Sequence, residues 1–191
     1  MILSYEPVPD DESPERIAVE EPGSHCVSCA YKEEIVAALQ DLKPRNGARL
    51  VLFDTDVAGL REAERQALAR RVGFVPASGG LMSSLNAWEN IALPLGYHAP
   101  QKLRGAHAEV RALLEELGGV DERLLAKLPE DMTLYERRLA AYLRALLESP
   151  ELLVVESLGA GLGPTKRERA ARFDEVYRKR CPGGTFVQFD G

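Results

Sequence analysis

The residues best suited to chemistry lie close together in His25-Cys26-Val27-Ser28-Cys29, where two thiols sit three residues apart. Such a C-x-x-C could hold a metal or exchange a disulfide. A zinc site needs four ligands, and beyond this run only Cys181 and the distant His98 and His107 are left to complete one. A redox pair wants its first cysteine exposed at a helix N-terminus. The plainer alternative makes both cysteines small buried residues of a strand, where positions i and i+3 point to opposite faces. His98 and His107 then read as exposed loop and helix residues. Glu33 and Glu34 read as acids that favour the dipole at a helix start.

The surrounding chain bounds what such residues can serve. At 191 residues it fits one domain with room for a core, and 45% hydrophobic with 28% charged residues is ordinary for a globular protein. Thirty acids against 24 bases give a net charge of −6, which points away from nucleic acid and anionic membrane surfaces. No apolar run approaches the ~20 residues that span a bilayer. There is no basic-then-apolar leader, and three cysteines, an odd number, suit a reducing compartment, so a cytoplasmic location is expected.

Patterning then places the elements. Residues 6–22 carry Pro7, Pro9, Pro14 and Pro22 among acids with only Arg16 as a base, which reads as an extended acidic arm. Ser24 to Cys29 is a short strand of small residues, and Ile35, Val36, Leu39 and Leu42 repeat at helical spacing. Arg49 to Phe53 and Val72 to Val75 are strands flanking a charged helix from Leu60 to Arg71. Residues 104–117 form an amphipathic helix with Val110, Leu113, Leu114 and Leu117 on one face, closed by Gly118-Gly119. Thr133 with Glu136 three residues on is a capping box that opens a helix buried through Leu139, Leu143, Leu146 and Leu147. Leu152 to Val155 reads as a parallel strand covered on both faces. Pro164 starts a helix carrying Ala170, Phe173 and Tyr177, and Pro182-Gly183-Gly184 turns into a last strand, Thr185 to Phe189. Alternating strands and helices make this an α/β layered fold.

Five landmarks from about residue 18 onward, in order and at plausible spacing, resemble the nucleotide-binding subunit of ABC-transporter ATPases. They are the early strand and helix around Lys32, the strand ending at Pro76-Ala77, the run Trp88-Glu89-Asn90-Ile91-Ala92-Leu93-Pro94-Leu95, the capping box, and Glu156-Ser157 with Gly161-Leu162-Gly163-Pro164. The Trp88 run is most similar in flavour to the ATPases of Mla/Mce-type lipid-trafficking systems. The resemblance implies a P-loop-NTPase-like (RecA-like) core with a parallel sheet at 1–78 and 149–191, and an inserted helical subdomain at 79–148. The partner implied is a membrane permease, met through Leu81, Met82, Leu85, Trp88, Ile91, Leu93 and Leu95, although the same helix could dock on its own domain. A homodimer, or a heterodimer with an active ABC ATPase, is also implied.

Against that resemblance the nucleotide positions are altered. Counting back from Leu42 puts the phosphate loop on Cys26 to Glu34 and makes Lys32 the phosphate lysine. Counting forward from Pro22-Gly23 makes Ser24 to Cys29 the strand and leaves the loop about four residues short, and this count is preferred. Either way no glycine remains and Glu33 and Glu34 stand at the helix start. Ala77 stands where the family has the glutamine that reaches the metal and water. Met132-Thr133-Leu134-Tyr135-Glu136 replaces Leu-Ser-Gly-Gly-Gln. Glu156 and Ser157 replace Asp and Glu at the second acidic strand, and Asp190 or Phe189 falls at the family's final histidine. The reading is a non-hydrolysing cassette subunit at the inner face of the membrane, with no cofactor and with ATP and magnesium disfavoured. The alternatives are a divergent but working ATPase, or a redox or metal module using Cys26 and Cys29.

Overall fold

A computed structural model describes residues 1–7, 16–29, 31–44 and 46–190. Its centre is β7 (Leu152–Glu156), whose Leu152, Leu153, Val154 and Val155 are all fully buried. β7 pairs in parallel with β6 (Val72–Val75) on one side and β8 (Thr185–Asp190) on the other. β3 (Ser24–Ser28) adds to β8 as the edge, giving the order β3-β8-β7-β6. Because side chains alternate along a strand, Leu152 and Val154 join one apolar cluster while Leu153 and Val155 join another. The continuous apolar run in the sequence therefore serves two cores at once.

The first cluster lies under α1 (Lys32–Asp41), through Ile35, Val36 and Leu39, and a second sheet of antiparallel strands. That sheet runs β2 (Ile17–Val19), β1 (Leu3–Glu6), β4 (Arg49–Leu52) and β5 (Thr55–Asp56). It corrects in part the expectation of an extended acidic arm over 6–22, since Ile17–Val19 form a paired strand. Leu3, Tyr5 and Val19 are buried, β1 pairs with both β2 and β4, and Arg16 donates from Nε to Ser4 Oγ at 2.9 Å. Proline and acid content hid strands whose backbone partners are remote in sequence. Pro9, Pro14 and the acids between them lie outside the described residues.

The second cluster is covered by α3 (Ala87–His98), α4 (Leu103–Glu116), α5 (Leu134–Leu146) and α6 (Pro164–Arg180). α2 (Glu62–Ala69) lies between β5 and β6 in the chain. Val110, Leu113, Leu114 and Leu117 are all buried, as the helical spacing of 104–117 predicts. The capping box that opens α5 is present in both directions: Glu136 N donates to Thr133 Oγ1 at 3.3 Å, and Thr133 N to Glu136 Oε2 at 2.7 Å. α3 opens on a second box, Asn86 with Glu89, which the sequence reading did not single out. Behind it Asn90, fully buried, accepts from Met82 N and donates to the Met82 and Leu85 carbonyls, fixing the loop that enters the helix.

Candidate functional site

In open parallel sheets the strand carboxyl ends form the natural ligand crevice. Here that edge gathers the ends of β3, β8, β7 and β6 with the start of α1. Lys32 Nζ donates to Ser157 Oγ at 3.0 Å. Ser157 follows β7 at a left-handed φ of 47°, and its N–H donates to Phe189 O at 2.7 Å. The Glu156 carboxylate accepts from Ala77 N at 3.0 Å, tying β7 to the loop after β6. Asp190, at the end of β8, accepts from Cys26 Sγ at 3.1 Å and from Gln188 Nε2 at 2.7 Å. Ser157, Gln188, Asp190 and Arg167 line a groove of about 300 Å³ beside these ends.

Arg138, a residue that sequence reasoning passed over, holds this edge together. Its guanidinium, almost wholly buried, donates from Nε to Ala77 O at 2.7 Å and from Nη1 to Leu158 O at 2.9 Å and Ala160 O at 2.6 Å. Burial pulls its pKa below the usual arginine range while Glu156 works to raise it. Gly79, at φ +92°, passes so close to the same helix that a Cβ there would lie 2.7 Å from the Arg137 Cβ. The signal for Arg138 was in the sequence. It is a charged residue on the stripe Tyr135, Leu139, Tyr142, where a helix facing a core should be apolar.

The strand occupies Ser24–Ser28, within one residue of the Ser24 to Cys29 that the short-loop count expects, and the helix starts at Lys32. Ala30 lies outside the described residues. Lys32 nonetheless faces the end of β7, which that count did not anticipate. Tyr31 gives the helix no side-chain cap, Glu33 is exposed in the first turn, and Glu34 accepts a long bond, 3.5 Å, from Tyr5 Oη.

Edge position also corrects the reading of the C-x-x-C as buried. β3 is covered on one side only, so Cys26 is exposed and Cys29 half-buried. All three cysteines are free. The hydrogen bond to Asp190, with some burial, raises the Cys26 pKa; burial raises that of Cys29. Among the described residues no group of three or more His, Cys, Asp or Glu is placed to hold a metal.

Thr133 and Glu136 stand apart from the crevice. Glu136 pairs with Lys127 at 2.6 Å. Burial works to raise its carboxyl, but Lys127 and the Thr133 bonds outweigh burial and hold it below the ordinary range. The expected partner surface divides. Ile91 and Leu95 are buried in the chain's own core and are not available to a partner, because α3 turns that face onto α5. Met82 is half exposed, and Leu81, Leu85, Trp88 and Leu93 are partly covered, Trp88 edge-on to His107 at 4.8 Å.

No family model matches the chain. The methionine import ATP-binding protein MetN of Rhizobium johnstonii is 30% identical over 156 residues, covering 80% of this chain and 41% of that protein. The protein of the same name from Xanthomonas campestris pv. campestris is 28% identical over 137 residues, 72% of this chain and 40% of that protein. The chain thus spans about two-fifths of the length of these curated relatives. A solved dimer of the ATP-binding cassette MJ0796, in a post-hydrolysis state bound to ADP and Pi, superposes with a TM-score of 0.77 at 17% identity, over 99% of this chain and 88% of that one. CbiO1 of Clostridium perfringens, described as part of the ABC transporter complex cbiONQ, superposes with a TM-score of 0.75 at 13% identity, over 99% and 78%. Among the described residues no helix is long and apolar enough to cross a membrane. The α/β layered core around a parallel sheet is the cassette fold of these structures, and over 80% of its length the chain resembles the nucleotide-binding domain of ABC-transporter ATPases.

Proposed function

We propose that this chain is a cassette subunit that does not hydrolyse ATP and serves as a structural partner of a membrane permease. The observation that carries the reading is the Lys32–Ser157 bond: the cation at the start of α1, facing the end of β7, lies on a hydroxyl of its own chain. A serine does not accept a proton from water near neutral pH, so Ser157 is no general base. Glu156 already accepts from Ala77 N. A phosphate cradle needs successive glycine N–H groups that close around the anion. The three residues from Cys29 to Tyr31 contain no glycine, and Glu33 and Glu34 follow in the first turn. On this reading a magnesium triphosphate does not fit, and no catalytic step runs through it.

The permease contact would use the exposed part of the Leu81 to Leu95 run, centred on Met82, while α3 keeps Ile91 and Leu95 for its own core. Pairing with a second copy or with an active homologue belongs to the same proposal, supported by the dimeric form of the MJ0796 cassette. A lipid-trafficking cargo rests on the Trp88 to Leu95 run alone, and the relatives matched in sequence are named for methionine import. Titration of ATP with magnesium by calorimetry, alongside a phosphate-release assay, tests the central claim. Neither micromolar binding nor release above background is expected; either one sinks it.

A second reading, a divergent site that still binds nucleotide, is favoured by the survival of one cation, Lys32, and one carboxylate, Glu156, at the same sheet edge. Micromolar ATP affinity lost on Lys32→Gln would select it. A redox role for Cys26 and Cys29 would need thiolates, whereas both pKa values are raised. A reversible Cys26–Cys29 disulfide in oxidised protein would revive that role.

A further inference from the structure

Between α6 and the 3-10 turn Glu122–Ala126 lies a cleft of about 480 Å³. Its floor carries Tyr135, whose side chain is 2% exposed and whose hydroxyl has no hydrogen-bond partner among the described residues. A buried hydroxyl left unpaired costs free energy in a folded protein, and such groups are rare enough to require a reason.

The charges around it are uneven. Asp121 is paired with Arg123 and Glu136 with Lys127, which neutralises both acids that line the cleft. Lys166 and Arg169 remain, one turn apart on α6 and without an ion pair among the described residues. Lys166 Nζ stands 4.8 Å above the Tyr135 ring centroid. Burial raises the Tyr135 pKa while Arg169 and Arg172 act to lower it, which puts both guanidiniums within electrostatic reach of the phenolic oxygen. The surplus of two positive charges sits in a protein of net charge −6.

We infer that this cleft is a binding site for the phosphate group of a small molecule, held by Lys166 and Arg169 and receiving a hydrogen bond from Tyr135 Oη. A phosphate carries about two negative charges near neutral pH, matching the two unpaired cations. Guanidinium forks and hydroxyl donors suit its oxygens. The cleft falls within the ~300–1,000 Å³ of small-ligand sites, leaving room for an organic group beyond the phosphate. The site uses none of the crevice residues and does not depend on whether nucleotide binds there.

The test is a titration of the whole chain with inorganic phosphate and with glycerol 3-phosphate at matched ionic strength, followed by amide chemical shifts. Saturable shifts confined to residues 119–136 and 166–172 are expected. Arg169→Gln and Lys166→Gln should each weaken binding about tenfold, and Tyr135→Phe about threefold or more, from loss of charge-assisted hydrogen bonds. The melting temperature of unliganded Tyr135→Phe should be unchanged or higher, because none of the described residues bonds that hydroxyl. Lys32→Gln should bind as the native chain does. Tighter binding of glycerol 3-phosphate identifies an organic phosphate; equal binding identifies free phosphate, and either result supports the site. Absence of saturable shifts, equal affinity in Arg169→Gln, or loss of binding in Lys32→Gln overturns it.

Discussion

The carboxyl edge of the parallel sheet and the cleft beside α6 are furnished with similar groups, cations near hydroxyls, but the two regions satisfy them differently. At the edge Lys32 bonds Ser157, Glu156 bonds Ala77, and Arg138 reaches three carbonyls from the loops after β6 and β7. At the cleft, among the described residues, Lys166 and Arg169 have no acidic partner and the Tyr135 hydroxyl has no hydrogen-bond partner. The first arrangement is complete without a ligand, and the second is not. Internal satisfaction makes a polar group structural, whereas a buried donor without an acceptor is where an added molecule gains most.

The contrast can be broken most directly at Arg138. Arg138→Met should remove three hydrogen bonds to backbone carbonyls and strip a buried cation from the edge, costing about 3 kcal/mol or more. For a chain this long that is a fall of roughly 6–12 °C in melting temperature. A loss under 1 kcal/mol would show that the edge is not internally held. Next in size is the capping box. Thr133→Ala should cost about 1 kcal/mol in a denaturant titration, since the α5 N-terminus loses its acceptor.

Glu136 sharpens the same point through pH. Its carboxyl is held below its ordinary value of 4.5, so its contribution is fully present above that value and is lost as pH falls through the lowered folded value. Glu136→Gln should therefore be less stable than the native chain by about 1 kcal/mol at pH 7. The two should converge in acid; a gap that persists at pH 2 contradicts the pairing with Lys127. Lys32→Gln should have a smaller effect still, below about 1 kcal/mol for a half-buried lysine bonded to a hydroxyl, with phosphate release unchanged from background. Met82→Ala, on the exposed part of the loop before α3, should leave stability within about 0.5 kcal/mol while weakening capture of a co-expressed permease.

Some of these assignments were readable from residues alone. The 3.6-residue stripe of α4, the Thr133–Glu136 box and the unbroken run Leu152 to Val155 each carry a local signature with a physical cause. The box, the stripe and the parallel pairing of β7 follow from it. The crevice was partly readable, since Ala77, Glu156 and Ser157 lie at one sheet edge, whereas the preferred count did not bring Lys32 there. Glu136 bonds Lys127 and Thr133 instead of joining them. A charge on the apolar stripe of α5 marks Arg138 as unusual, but what it bonds was not legible, because its three acceptors lie 20 to 61 residues away.

By itself, then, the sequence determined where α5 begins, which face of α4 is buried, and which strand lies at the centre. Those properties depend on neighbours within a few positions along the chain. Tertiary structure alone decided that β1 and β2 pair into an antiparallel sheet, that Cys26 sits on an exposed edge, that Ile91 and Leu95 face inward, and that Lys32 spans to Ser157. Each depends on which distant segment arrives to cover or to bond a group, and spacing along a chain carries no record of that arrival.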